Sequence, residues 1–210
     1  MSYKKRTGVP VTVIMGSVAA SGGYYLSMTG DTVIAYPTTI TGSIGVLITK
    51  LSLKELLGKI GIEDETVKSG ENKTMGSFFK NMSPDEKALF QKIVDSMYGR
   101  FIDIILESRK NITRDQLLKV ADGRIFIASD ALKLGLIDKI GYFEDAVEAA
   151  SKSAGLTNPK IVTFIRPGTY RPNIYSGAQS QSDSGIQALT SALDLFTSKY
   201  GTCFMYLWKD

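Results

Sequence analysis

Val9-Pro10-Val11-Thr12-Val13-Ile14-Met15, running directly into Gly16-Ser17-Val18-Ala19-Ala20-Ser21-Gly22-Gly23-Tyr24-Tyr25-Leu26, decides the fold class. The first seven residues are apolar or β-branched on both faces of an extended chain, which suits a buried strand in an α/β sheet with Pro10 near its start. The next stretch is stripped of bulk and then turns helical, so Ser21 falls at a strand-to-helix junction. Such junctions present a side chain at a helix N-terminus, where backbone N–H groups lack intrahelical acceptors.

Further strands are expected at Val33–Tyr36 and Ile44–Thr49, separated by turn and loop residues from Pro37 to Ser43, and a short one at Glu65–Lys68. Leu51–Ile60 reads as a short helix stopped by Gly61. Ser83-Pro84-Asp85-Glu86 is a capping box with proline in the first turn, opening the longest helix. Phe90, Ile93, Val94, Met97, Phe101, Ile104 and Ile105 recur along it at helical spacing and mark a core face, not a cofactor site. Helices are also expected at Arg114–Val120, at Ser129–Leu134 with Gly135 as its stop, and at Phe143–Ala154 with Gly155 as its stop. This gives one domain over residues 1–165. The Ser/Gly/Gln-rich stretch 166–185 reads as a flexible linker, and 186–210 as an amphipathic carboxyl-terminal segment.

Composition narrows the chemistry. The 210 residues are 43% hydrophobic and 22% charged, as in an ordinary soluble globular chain. They contain no histidine and one cysteine, Cys203. A Ser-His-Asp or Cys-His site and a histidine-bearing metal centre are therefore excluded, as is an internal disulfide, and no metal or other cofactor is expected. The net charge of +4 is spread along the chain without a basic stripe, so nucleic acid is not an expected partner. No apolar run reaches the length of a membrane span.

Without histidine, the candidate nucleophiles are serines, threonines and Cys203, and the candidate bases are lysines and carboxylates. Cys203 sits among bulky apolar residues, a setting typical of an inert thiol. Ser21 has Ala19, Ala20, Gly22 and Gly23 around it, and the Gly22 N–H lies beside its hydroxyl where an oxyanion would form. Lysine serves as a general base only when burial favours its neutral form. Lys50, Lys54, Lys59, Lys68, Lys73 and Lys80 are all candidates. Lys73 stands out in the loop Val67–Gly76, although the nearby Glu71 would favour its charged form.

Four motifs occur in order: Met15–Tyr25, Thr41-Gly42-Ser43-Ile44-Gly45-Val46, Lys68-Ser69-Gly70-Glu71-Asn72-Lys73, and Gly123-Arg124-Ile125-Phe126 with Ala131–Asp138. Together they resemble the signal peptide peptidase A family of serine peptidases over about residues 7–150. The resemblance implies a ClpP/crotonase-like α/β fold of repeated ββα units. It also implies a membrane-associated, extracytoplasmic endopeptidase that degrades cleaved signal peptides with a Ser-Lys dyad. On this sequence the nucleophile falls on Ser21, the general base on Lys73, the lysine-orienting serine on Ser43 and an oxyanion donor on Gly22. Val18 and Tyr24, flanking the nucleophile, are candidates for lining the substrate site. The resemblance further implies a homo-oligomer in which serine and lysine come from neighbouring protomers.

The family carries an amino-terminal anchor, and about half of its domain precedes the Ser21 strand, including a Gly-rich segment that gives a second oxyanion donor. By the resemblance this chain lacks its amino-terminal half. It is expected to be a fragment, a split gene or a chain completed by another polypeptide, soluble in itself and weakly active alone. Two other readings stand beside the peptidase: a catalytically silent scaffold or partner subunit of a peptidase complex, and a crotonase-type acyl-CoA enzyme, for which the sequence shows no suitably placed carboxylate.

Overall fold

A computed structural model describes residues 6–162. The expected linker at 166–185, the amphipathic segment at 186–210 and Cys203 lie outside the described residues.

Strands β1 (Thr12–Met15) and β2 (Val18–Ala20) are followed by helix α1 (Gly22–Ser27), and strands β3 (Thr32–Ala35) and β4 (Ile40–Gly42) repeat the pattern. The first strand of each pair enters one sheet and the second enters another. β1 pairs parallel with β3 from Thr12 opposite Thr32 to Met15 opposite Ala35. β2 pairs parallel with β4 from Val18 opposite Ile40 to Ala20 opposite Gly42. A ββ pair is thus laid down twice, and the first copy runs directly into a helix, in keeping with a repeated-unit α/β fold. Each sheet gains one late strand: β6 (Lys139–Ile140) runs parallel to β3, and β5 (Ile125–Ile127) runs antiparallel to β4.

The remaining helices are α2 (Lys54–Lys59), α3 (Pro84–Ser108), α4 (Arg114–Leu118), α5 (Ala128–Lys133) and α6 (Phe143–Ser153), with a 3₁₀ turn at Glu71–Thr74. The second half of α3 lays Phe101, Ile102 and Ile105 on a core shared with Met15, Tyr24, Val33, Ala35, Leu117 and Leu136. Ile93, Val94 and Met97, toward its middle, are only half-buried.

Two strand expectations are corrected. The strand read at Ile44–Thr49 lies earlier, at Ile40–Gly42, within residues that look like loop. Thr41 in it and Thr39 just before it are polar yet fully buried, because the Thr41 hydroxyl donates to Ala19 O at 2.7 Å and the Thr39 hydroxyl to Gly16 O at 2.6 Å. Burial of a hydroxyl is tolerated when it is hydrogen-bonded. Glu65–Lys68 forms no strand: it has no pairing partner among the described residues, and an unpaired extended segment does not hold itself in a sheet.

Glu65–Lys68 belongs to an excursion between Lys50 and Asn81. The excursion is closed at its base by Leu53 N–H to Phe78 O at 2.8 Å and by the Ser52 hydroxyl to Asn81 Oδ1 at 2.6 Å. Among residues 51–82 only Gly76 is buried, and Leu51, Leu56, Ile60, Ile62 and Phe79 are exposed.

The capping box of α3 is present as expected. The Ser83 hydroxyl accepts from Glu86 N–H at 3.1 Å, and Glu86 Oε2 accepts from Ser83 N–H at 3.0 Å. Glu86 is 4% exposed and its other oxygen takes Lys80 Nζ. The Lys80 hydrogen bond first, and the Ser83 N–H second, hold its carboxyl below the usual value of 4.5. A lowered folded pKa stabilises the folded state above the unfolded value, and this stability is lost as pH falls from about 4.5 through the folded value. Glu86→Ala is expected to cost about 1–3 kcal/mol near pH 7, with the difference from wild type shrinking below that window, as read by urea unfolding across pH.

Candidate active site

Ser21 stands where β2 ends and α1 begins, with φ +50° and ψ −113°. For a residue with a Cβ this backbone costs of the order of 1–3 kcal/mol and persists only where surrounding contacts enforce it. Three contacts do so. Ser21 N–H donates to Gly42 O at 2.8 Å, Ser21 O accepts from Tyr25 N–H at 2.8 Å, and the paired strands β2 and β4 lead into both residues. Ser21 is 6% exposed, so the junction recesses the residue where the sequence suggested exposure. Its hydroxyl has no hydrogen-bond partner among the described residues. The Gly22 and Gly23 N–H groups, in the first turn of α1, likewise have no backbone acceptor there, so two unengaged donors directly follow the serine in the chain.

The second motif is built against the first. Gly42, whose carbonyl holds Ser21, has φ +83°, and a Cβ placed on it would stand 2.6 Å from Phe126 Cδ2 and 3.1 Å from Arg124 O. Ser43 follows with φ +50° and donates its N–H to Arg124 O at 2.8 Å. Arg124 is fixed in turn by Asp122, whose carboxylate accepts from Nε at 2.8 and 2.9 Å. These hydrogen bonds take the Asp122 carboxyl down to about 2. The fourth motif therefore zips onto the second beside Ser21. Gly42→Ala is expected to destabilise the fold by about 2–4 kcal/mol, from the left-handed backbone and the ring clash together, as measured by thermal unfolding.

Lys73 is not brought to Ser21 within this chain. It lies in the 3₁₀ turn on the exposed excursion, its own side chain is exposed, and it bonds neither Ser21 nor Ser43 among the described residues. The enclosure that a lysine base needs is thus not built by the described residues. The expected interference from Glu71 is also absent, because Glu71 pairs with Lys68 at 3.0 Å. Lys50 and Lys80 are engaged with Lys80 O and Glu86.

Of the two candidates for lining the substrate site, Val18 is exposed at the start of β2, and Tyr24 is not available. Tyr24 has 0% exposure, because the first turn of α1 points it into the core, where its hydroxyl donates to Leu136 O at 2.9 Å. This inward turn is not legible in the sequence, since small residues ahead of Tyr24 leave the facing of α1 open. Among the described residues no cluster of acidic or sulfur ligands forms a metal site, and no helix is long and apolar enough to cross a membrane.

The sequence model of peptidase family S49 matches residues 3–157. A protein of Enterococcus faecium described as a signal peptide peptidase SppA is 36% identical over 191 residues, covering 91% of this chain and 55% of that protein. A protein of Synechocystis described as a protease is 38% identical over 203 residues, covering 95% of this chain and 73% of that one. The chain thus spans about half the length of the Enterococcus relative. Among solved structures, a membrane-bound stomatin-specific protease in complex with a substrate peptide aligns at 15% identity with a TM-score of 0.37, covering 71% of this chain and 56% of that one. With a family match over most of its length, and two relatives above a third identity, this chain belongs to peptidase family S49.

Proposed function

We propose that this chain carries the nucleophile and the base of a Ser-Lys endopeptidase acting on signal peptides and other unfolded apolar peptides at the extracytoplasmic face of a membrane. The observation that carries this reading is Ser21: a serine with an unengaged hydroxyl, held at positive φ beside free N–H groups, in a peptidase-family chain without histidine.

In this mechanism Lys73 Nζ, neutral and enclosed, takes the Ser21 Oγ proton as Oγ attacks the scissile carbonyl carbon. The oxyanion accepts from Gly22 N–H, and Ser43 orients the lysine. Collapse breaks the C–N bond, and the leaving amine takes the proton from Lys73. Water then gives a proton to Lys73 and attacks the acyl-serine ester; as the ester C–O bond breaks, Lys73 returns that proton to Ser21 Oγ, which releases the new carboxyl end and restores both residues. Because Lys73 is exposed on the excursion, the lysine completing a site is assigned to a neighbouring copy. The apolar residues exposed along that excursion, including Val67 at 98%, support its burial in an assembly.

The test is hydrolysis of unstructured apolar peptides, with mixing of two variants. Ser21→Ala and Lys73→Ala chains, each inactive alone, are expected to regain part of the wild-type activity when mixed and reassembled. No recovery would contradict sites shared between copies. A silent scaffold, which the exposed Lys73 favours, predicts no turnover from any form, and an acyl-CoA enzyme predicts turnover of thioesters in place of peptides.

A further inference from the structure

We propose that Tyr24 is a positioning residue for the nucleophile, its buried hydroxyl tying helix α1, and with it Ser21 and the Gly22 N–H, to the segment Leu136–Asp138. The inference rests on the reading of Ser21 as nucleophile and adds the residue that holds it in register.

Helix α1 has six residues and no side-chain cap at Ser21, so it is too short to hold its own position. A serine at positive φ needs anchors that over-determine it. Tyr24 lies three residues beyond Ser21, one helical turn along. Its ring is fully buried and tilted against Phe101 at 6.5 Å, and its hydroxyl donates to Leu136 O at 2.9 Å, 112 residues away in sequence.

The acceptor is itself held from several sides. Leu136 N–H donates to Ala131 O at 2.8 Å and Asp138 N–H to Val33 O at 2.9 Å. The Asp138 carboxylate accepts from Val33 N–H at 2.7 Å and from Arg109 Nη1 at 2.7 Å, and Arg109 is 3% exposed at the end of α3. The carbonyl that receives Tyr24 is therefore tied to β3, α5 and α3 at once. Burial pushes the Tyr24 phenol well above its usual range, with Arg109 opposing and Asp138 adding, so the hydroxyl keeps the proton that it donates. The motif around Ala131–Asp138, far from the nucleophile in sequence, acquires a role in its placement.

The test compares wild type with Tyr24→Phe, which keeps the ring and its volume and removes only the hydroxyl. The two readouts are the second-order rate of fluorophosphonate labelling at Ser21, corrected for folded fraction, and amide hydrogen exchange along the chain. Tyr24→Phe is expected to slow labelling about tenfold or more, since small displacements of reacting groups carry large rate losses. It is also expected to speed exchange at Ser21–Tyr25 while the amides of α3 stay protected. Incorporating p-aminophenylalanine at position 24, which restores a donor toward Leu136 O, is expected to return both readouts toward wild type. Labelling unchanged in the folded protein, or exchange accelerated uniformly along the chain, overturns the proposal. If wild type is not labelled at all, the nucleophile reading fails, and the exchange pattern alone decides whether Tyr24 pins the turn.

Discussion

Ser21→Ala is expected to lower peptide hydrolysis by about 10³-fold or more and to remove fluorophosphonate labelling, because no covalent intermediate forms without Oγ. The fold should survive. The positive φ at Ser21 is imposed by the backbone bonds to Gly42 O and from Tyr25 N–H, which alanine also makes, and the hydroxyl has no partner to lose among the described residues. Unchanged thermal unfolding with lost labelling is the expected pair of results. Loss of labelling through unfolding would show instead that the hydroxyl is structural.

Lys73→Ala is expected to lower hydrolysis by about 10²–10⁴-fold across about pH 7 to 9, the range in which general-base assistance acts. Stability should scarcely change, since Lys73 is exposed and, among the described residues, its bond is a backbone N–H to Gly70 O at 3.1 Å. Lys68→Ala is the control: its charge is engaged with Glu71 at 3.0 Å, and it should leave the rate near wild type. If Lys73→Ala retains most activity, the base is another group and the Ser-Lys pairing is wrong.

These variants separate what the sequence showed from what it hid. Ser83-Pro84-Asp85-Glu86 announced α3 because a capping box is local chemistry, and Gly61, Gly135 and Gly155 announced helix ends because each takes a positive φ there. The junction at Ser21 was legible for the same reason: its small residues follow directly from the need for room. Strands β2, β5 and β6 were not, since three or two residues carry no alternation to read. β4 was misplaced because Thr39 and Thr41 look like loop until their hydroxyls are seen bonded to carbonyls of the preceding unit.

The site divides along the same line. Ser21, Gly42, Ser43 and Arg124 come together through strand pairing, although the motifs lie up to a hundred residues apart. Tyr24 reads as a candidate for lining the substrate site, but its facing depends on Leu136, a contact across 112 residues that the sequence does not show. Lys73 illustrates a different limit. Its motif can be read, but its enclosure depends on what packs over the excursion, and a single chain does not state that.

The most direct test of the central claim is proteolytic mapping of the wild-type chain after fluorophosphonate treatment, with a peptide-level readout of the adduct. One adduct is expected, on Ser21, formed more slowly in Lys73→Ala. An adduct on another serine, with Ser21 unmodified in a chain that hydrolyses peptides, would contradict it.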